Sequence, residues 1–200
     1  MIPGTSERVL PGFGDPALDA QAAFRVLLNG MSHPGRIFRM PPVIPTAPPG
    51  LDPAAAAVCL TLLDSDTTLW TDLDTGSPVL PWLRFHCGCP VIDDTARSDF
   101  ALATAAGRLP PLEAFQPGTD EAPESAATVI LQVEALDATG GFRLSGPGIP
   151  ELRSLAVAGL PTGFWNQRHR RCRAFPMGLD VLFVCGERVA ALPRTTQVET

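Results

Sequence analysis

A chain of 200 residues, 45% hydrophobic and 18% charged, has the composition of a globular protein and the length of one domain with a sizeable core. Its formal net charge of -6 excludes the continuous basic face that duplex nucleic acid demands, and no apolar run approaches the roughly 18 residues needed to span a bilayer. All 15 basic residues are arginine, so an internal Schiff base with pyridoxal phosphate and a P-loop lysine are both excluded. The opening MIPGTSERVLPGFGDPALDAQ lacks a basic segment followed by an apolar core, which predicts no secretion signal. The expectation is a cytoplasmic protein with neither nucleic acid nor membrane as partner.

After an irregular segment over residues 1–18, DAQAAFRVLLN from Asp19 has helical spacing, with Asp19 as its N-cap. Pro34 ends that helix near Met31, and RIFRM is short enough for a strand. A proline-rich loop leads to Asp52 and Pro53, the cap and first position of a helix AAAAVCLTLLD. TTLWTD reads as a strand, Pro78 to His86 as a helix, and PVID and DFALAT as two short strands. ATVILQVEAL is the strongest buried-strand signal, and the glycine pair Gly140 and Gly141 predicts a hairpin with FRLSG. SGPGIPE predicts a turn before a short helix, WNQRHRRCRAF a further helix, and DVLFVCGERVAALP a second hairpin turning at Gly186. Together these predict a single layered α/β domain over residues 1–200, a central mixed β-sheet flanked by helices.

The five cysteines are irregularly spaced, and Cys59 and Cys185 lie in apolar runs, which predicts reduced thiols. His86, Cys87 and Cys89 lack zinc-ligand spacing, so no metal is expected. In WLRFHCGCP, Arg84 and His86 suit either a phosphate or phosphonate site or a structural role, with His86 capping carbonyls. Arg194, Thr195 and Thr196 bring one guanidinium and two hydroxyls together, for an anion or for the backbone. SGPGIPE lacks the third glycine of a nucleotide loop. Arg168, Arg170, Arg171 and Arg173 scatter around their helix while Trp165, His169 and Cys172 share one side. The preferred reading of these arginines is a solvated or partner-facing helix end, with anion binding as the alternative.

The motifs FRVLLNGMSHPG, LTLLDSDTTLW, LRFHCGCP, ATVILQV, LSGPGI, FPMGLD and GERVAALPRTTQVE run in order from Phe24 to Glu199, and the chain so resembles the PhnH family of the bacterial carbon-phosphorus lyase system. The resemblance implies a homodimer with a fold like that of pyridoxal-phosphate-dependent transferases but without the cofactor. It implies assembly with the PhnG, PhnI and PhnJ subunits, in a system where PhnI, helped by the others, joins a phosphonate to the ribose of a nucleoside triphosphate and PhnJ cleaves the carbon-phosphorus bond. The chain is then expected to assist rather than to carry a reaction centre, with no catalytic residue and no cofactor of its own. Arg84, His86, Glu187, Arg188, Arg194 and Thr195 fall inside matching motifs and become the candidates for binding a partner or a phosphonate or nucleotide anion. The alternative is an enzyme with its own small-anion or nucleotide site at Arg84, His86 and Arg194.

Overall fold

The computed structural model describes residues 9–199. Its elements are α1 (Pro16–Ser32), β1 (Ile37–Arg39), α2 (Pro53–Leu62), β2 (Leu69–Thr71), α3 (Val79–His86), β3 (Phe100–Ala103), β4 (Thr128–Gln132), β5 (Ala135–Ser145), β6 (Arg153–Ala158), α4 (Phe164–Cys172), β7 (Asp180–Cys185), β8 (Arg188–Leu192) and β9 (Gln197–Glu199), joined by short 3-10 turns. Six strands form a mixed sheet in the order β1-β8-β7-β4-β3-β2, in which β2, β3, β4 and β7 are parallel. β8 returns antiparallel to β7, and β1 pairs antiparallel with β8. A second sheet is ordered β6-β5-β9 and is wholly antiparallel.

Strand periodicity divides the interior in two. On β4, Ile130 joins one core while Val129 and Leu131 join the other; on β7, Leu182 and Val184 face the first core and Val181 and Phe183 the second. The first core is completed by α1, α2 and α3, the second by the small sheet and α4. Central strands buried on both faces account for the continuous apolar runs TVIL and VLFV. Helix α2 is buried from Ala54 to Cys59, and its run of alanines has little side chain to hold its axis off the sheet.

Four of the five expected helices form, with shifts at their ends. Helix α1 begins at Pro16, inside the segment expected to be irregular, because Asp15 rather than Asp19 caps it: the Asp15 carboxylate accepts from the Ala17 and Leu18 N–H groups at 3.2 and 3.1 Å. Asp19 supplies the other half of a reciprocal cap, accepting the Asp15 N–H at 3.0 Å. Residues 1–8 of that segment lie outside the described residues. The second hairpin forms as expected, with Gly186 at φ 61 in its turn.

Three strand assignments differ from expectation. ATVILQVEAL is two strands, because its ladder partner changes: the Val133 N–H donates to Val184 O at 2.8 Å, whereas the Glu134 N–H donates to Ala158 O at 3.1 Å. The chain leaves the main sheet between these two residues. Gly140 and Gly141 consequently lie inside β5, where its register with β6 shifts between Asp137 and Phe142, and a Cβ on Gly141 would collide with the Leu155 carbonyl. FRLSG pairs with β6 and β9 instead of with ATVILQV, and the short helix expected after SGPGIPE is β6, whose Leu155 and Val157 alternate with polar or smaller residues. PVID contributes only a single bridge from Val91 to Leu69.

Gly30 lets α1 approach β8, since a Cβ there would lie 3.3 Å from the Ala191 Cβ. Gly30→Leu is expected to overpack this contact and destabilise the protein by about 1–3 kcal/mol, read as a lower urea midpoint at unchanged slope.

Candidate functional site

The arginine-rich helix is more deeply embedded than its composition suggests. Arg168 is fully buried; its Nη1 donates to Leu179 O and its Nη2 to Pro193 O and, at 3.3 Å, to Leu192 O. Burial holds its guanidinium pKa below the usual arginine value. Arg171 donates to Leu112 O and Phe115 O at 3.1 and 3.4 Å, while Arg170 pairs with Glu113 at 2.7 Å. The solvated-helix-end reading is thereby corrected for Arg168 and Arg171. Around a helix that packs on the second core, donors capable of reaching backbone carbonyls serve as ties. On the shared side foreseen for Trp165, His169 and Cys172, the Trp165 ring stacks on Phe142 at 4.7 Å, His169 Nδ1 lies 3.2 Å from Val198 O, and the Cys172 thiol donates to Thr196 O at 2.9 Å.

The six candidate residues lie in three separate places. Arg194, mostly buried, grips Asp180 with Nη2 2.6 Å from Oδ2 and Nε 3.4 Å from Oδ1, and also donates from Nη1 to Pro123 O. Its own N–H meets Asp180 Oδ1 at 2.7 Å. Thr195 follows it half-buried. At the other end of β7, five residue steps or roughly 17 Å away, Glu187 pairs with Arg39 at 2.5 Å on the surface, and Arg188 donates to Leu136 O at 3.1 Å.

Arg84 and His86 sit at the C-terminal end of α3. His86 Nε2 lies 2.9 Å from Leu10 O, and its ring lies against Trp82 and Phe85 at centroid distances of 4.9 Å each. Because a carbonyl only accepts, Nε2 carries the hydrogen. A Cβ on Gly12 would approach His86 Nδ1 to 2.9 Å, so His86 fastens the segment before α1 to α3. Arg84 is exposed and makes no hydrogen bond or ion pair among the described residues. Beneath this helix end, Cys59, Cys87 and Cys89 are buried thiols. Burial pushes the Cys59 thiol far up, and a hydrogen bond with Cys89 followed by burial does the same to Cys87.

A crevice that none of these motifs marked opens beyond the C-terminal ends of β3 and β4, where open parallel sheets commonly take ligands. It encloses about 380 Å³ and is lined by Asp52, Thr104, Gln132 and Glu134 among others. Gln132 braces it: Oε1 accepts the Asp52 N–H at 2.7 Å while Nε2 donates to Gly50 O and Thr104 O at 3.2 and 3.4 Å. Asp52 caps α2 by position alone, its carboxylate accepting the Gly186 N–H at 2.7 Å. Asp72 closes the adjacent loop by accepting from Thr104 N, Thr104 Oγ1 and Ala105 N at 2.8, 3.0 and 2.9 Å. With Asp52 and Glu134 in its wall and no arginine among its lining residues, this crevice suits hydrogen-bond donors rather than phosphate. The polar residues closing the strands, Asp72 and Gln132, were its only trace in the sequence.

The family model described as "Bacterial phosphonate metabolism protein (PhnH)" matches residues 11–199. The chain belongs to the PhnH family. Within that family's reach, it is 35% identical over 189 residues to the alpha-D-ribose 1-methylphosphonate 5-triphosphate synthase subunit PhnH of Rhizobium meliloti (strain 1021), covering 94% of each chain. It is also 37% identical over 180 residues to HtxG of Stutzerimonas stutzeri, which its description assigns to a C-P lyase as a subunit protein; the match covers 89% of this chain and 85% of that one. The PhnH match therefore spans both cores, the three clusters of candidate residues and the crevice.

The contacts of Arg168 predict a stability role. Arg168→Met fills the volume but leaves three carbonyls without their donor, so unfolding should become easier by roughly 3 kcal/mol or more. Arg194→Lys keeps the charge but loses the planar fork to Asp180 and should cost about 1–2 kcal/mol. Arg170→Gln, on the surface, should change little. Chemical denaturation of the three variants reads this ranking, and an Arg168 variant as stable as Arg170→Gln would refute it.

Proposed function

We propose that this PhnH-family chain is an assisting, non-catalytic subunit of the carbon-phosphorus lyase core complex. In this reading it forms a homodimer, works in the cytoplasm beside PhnG, PhnI and PhnJ, and supports transfer of a phosphonate to the ribose of a nucleoside triphosphate, giving a ribose 1-phosphonate 5-triphosphate. The observation that carries it is the near full-length likeness to a subunit whose name places it in a ribose methylphosphonate triphosphate synthase. On the same reading the chain is one PhnH-like domain whose α/β architecture resembles pyridoxal-phosphate-dependent transferases while its chemistry needs no cofactor.

Two features of the surface agree with a subunit role. Leu18, Phe24 and Leu28 are exposed on the side of α1 turned away from buried Ala23, Leu27 and Gly30, and α1 lies next to β1, an edge strand of the main sheet. Exposed apolar side chains on a helix and an open strand edge are each suited to covering by another chain. The enzyme reading at Arg84, His86 and Arg194 lacks comparable support, because Arg194 lies apart from the α3 end that carries Arg84 and His86 and is held by Asp180 and Pro123.

Co-expression of the tagged chain with PhnG, PhnI and PhnJ, followed by affinity capture and size-exclusion chromatography, should recover all four in one assembly. Deleting the chain's gene should abolish growth on methylphosphonate as sole phosphorus source. Recovery of the tagged chain alone, with growth intact in the deletion strain, would sink the reading.

A further inference from the structure

The four arginines of the α4 region are not equivalent. Arg168 and Arg171 are tied to backbone carbonyls and Arg170 to Glu113, whereas Arg173, the residue closing α4, is exposed and has no hydrogen-bond or ion-pair partner among the described residues. Arg173 lines a cavity of about 490 Å³ between α4 and the small sheet, together with Ser145, His169, Cys172, Gln197 and Glu199. Two consecutive structural units build this wall. Ser145 and Gln197 are cross-strand partners on β5 and β9, and Arg143 and Glu199 are the next pair on the same face.

Three acceptors around this cavity are already engaged. Val198 O faces His169 Nδ1, Thr196 O takes the Cys172 thiol, and the Glu199 carboxylate is neutralised by Arg143 at 3.1 Å. Two of the carbonyls in the last turn of α4, those of Arg170 and Arg171, accept the N–H groups of Arg173 and Ala174 at 3.3 and 3.2 Å, which lessens their repulsion of an anion. The free groups are donors: the Arg173 guanidinium, the Gln197 amide and the Ser145 hydroxyl, none of which has a side-chain partner among the described residues. One further group is an acceptor of defined position. Since the Val198 carbonyl only accepts, His169 carries a hydrogen on Nδ1, and in the neutral imidazole Nε2 is then the acceptor.

We propose that the cavity between α4 and β9 is a binding site for a tetrahedral phosphorus oxyanion, a phosphonate or phosphate group that retains one hydroxyl. Arg173 meets the charge, Gln197 and Ser145 donate to the remaining oxygens, and His169 Nε2 accepts the P–OH hydrogen, a bond that sulfate near neutral pH cannot offer. The cavity exceeds the size of the bare anion, leaving room for what the phosphorus carries, whether the substituent of a free phosphonate or the rest of a nucleotide. The site is separate from the acid-lined crevice and from Arg84 and Arg194.

Isothermal titration calorimetry on the purified full-length chain, in chloride buffer near neutral pH, tests this without any partner subunit and so independently of the subunit reading. Phosphate and methylphosphonate should bind saturably, with sulfate weaker. Arg173→Gln should weaken binding by about tenfold or more, and His169→Gln should remove the preference over sulfate. Arg170→Gln should leave affinity unchanged, and circular dichroism melting should confirm that each variant folds. A parallel titration with a nucleoside triphosphate identifies the source of the group: tighter binding than methylphosphonate assigns the site to nucleotide phosphate, weaker binding to a free phosphonate. Absence of saturable binding of phosphate and methylphosphonate, equal loss in the Arg170 and Arg173 variants, or sulfate binding as tightly as phosphate would each overturn the proposal.

Discussion

A charged side chain with no water around it organises one whole side of this protein. The Arg168 guanidinium is fully buried, a position whose desolvation cost is tolerable only if strong acceptors surround it. They are backbone carbonyls: Leu179 O immediately before β7, and Leu192 O and Pro193 O where β8 ends. One side chain of α4 therefore fastens both feet of the β7–β8 hairpin. Its Nε finds no partner among the described residues, and Asp180, near enough to favour its charge, is itself shared with Arg194. The two arginines and one carboxylate form a compact, largely dry cluster at the start of β7, where the chain emerges from the α4 loop.

At the opposite end of the sheet the arginines, Arg39 and Arg188, are exposed, and the cross-links beneath them use other groups. Asp52 reaches the Gly186 amide and Gln132 reaches the Asp52 amide, so the beginning of α2, the end of β4 and the β7–β8 turn are cross-linked by neutral and anionic acceptors. The electrostatic consequence is a division of labour along the strands. The buried cationic ties gather where β7 starts, and the crevice at the strand ends is lined by carboxylates. An oxyanion is thus disfavoured at the position where parallel sheets usually bind ligands, whereas Arg173, Gln197 and Ser145 lie together beside β9.

Placement of the arginines also bears on how firmly the cavity beside β9 is held. Residues that hold α4 to the sheet and the loop around Leu112 fix the geometry of the cavity wall, since His169, Cys172 and Arg173 ride on the same helix. Rigid support of this kind keeps exposed donors in position before a ligand arrives, which lowers the ordering cost of binding. On the far side of the sheet, the exposed apolar residues of α1 lie in a different layer from that cavity, so a partner covering them leaves the cavity open.

The sequence by itself determined the elements whose signal is local. Caps and helix breakers located α1 to within a few residues, the apolar runs of β4 and β7 announced strands buried on both faces, and Gly186 marked a hairpin turn, because each depends on φ/ψ preference or periodicity within a few residues. It also carried the PhnH likeness, written in motifs spread from Phe24 to Glu199. Partner choice was not local. ATVILQVEAL reads as one strand, yet it splits between Val133 and Glu134 because Val184 and Ala158, distant in sequence, offer different ladders to consecutive amides. RHRRCR reads as a surface cluster, since nothing in the string shows that carbonyls near Leu179 and Pro193 converge on one of its members. Only the tertiary structure decided which arginine was buried, which was paired and which remained free, because a long side chain's fate is set by the acceptors that packing brings within its reach.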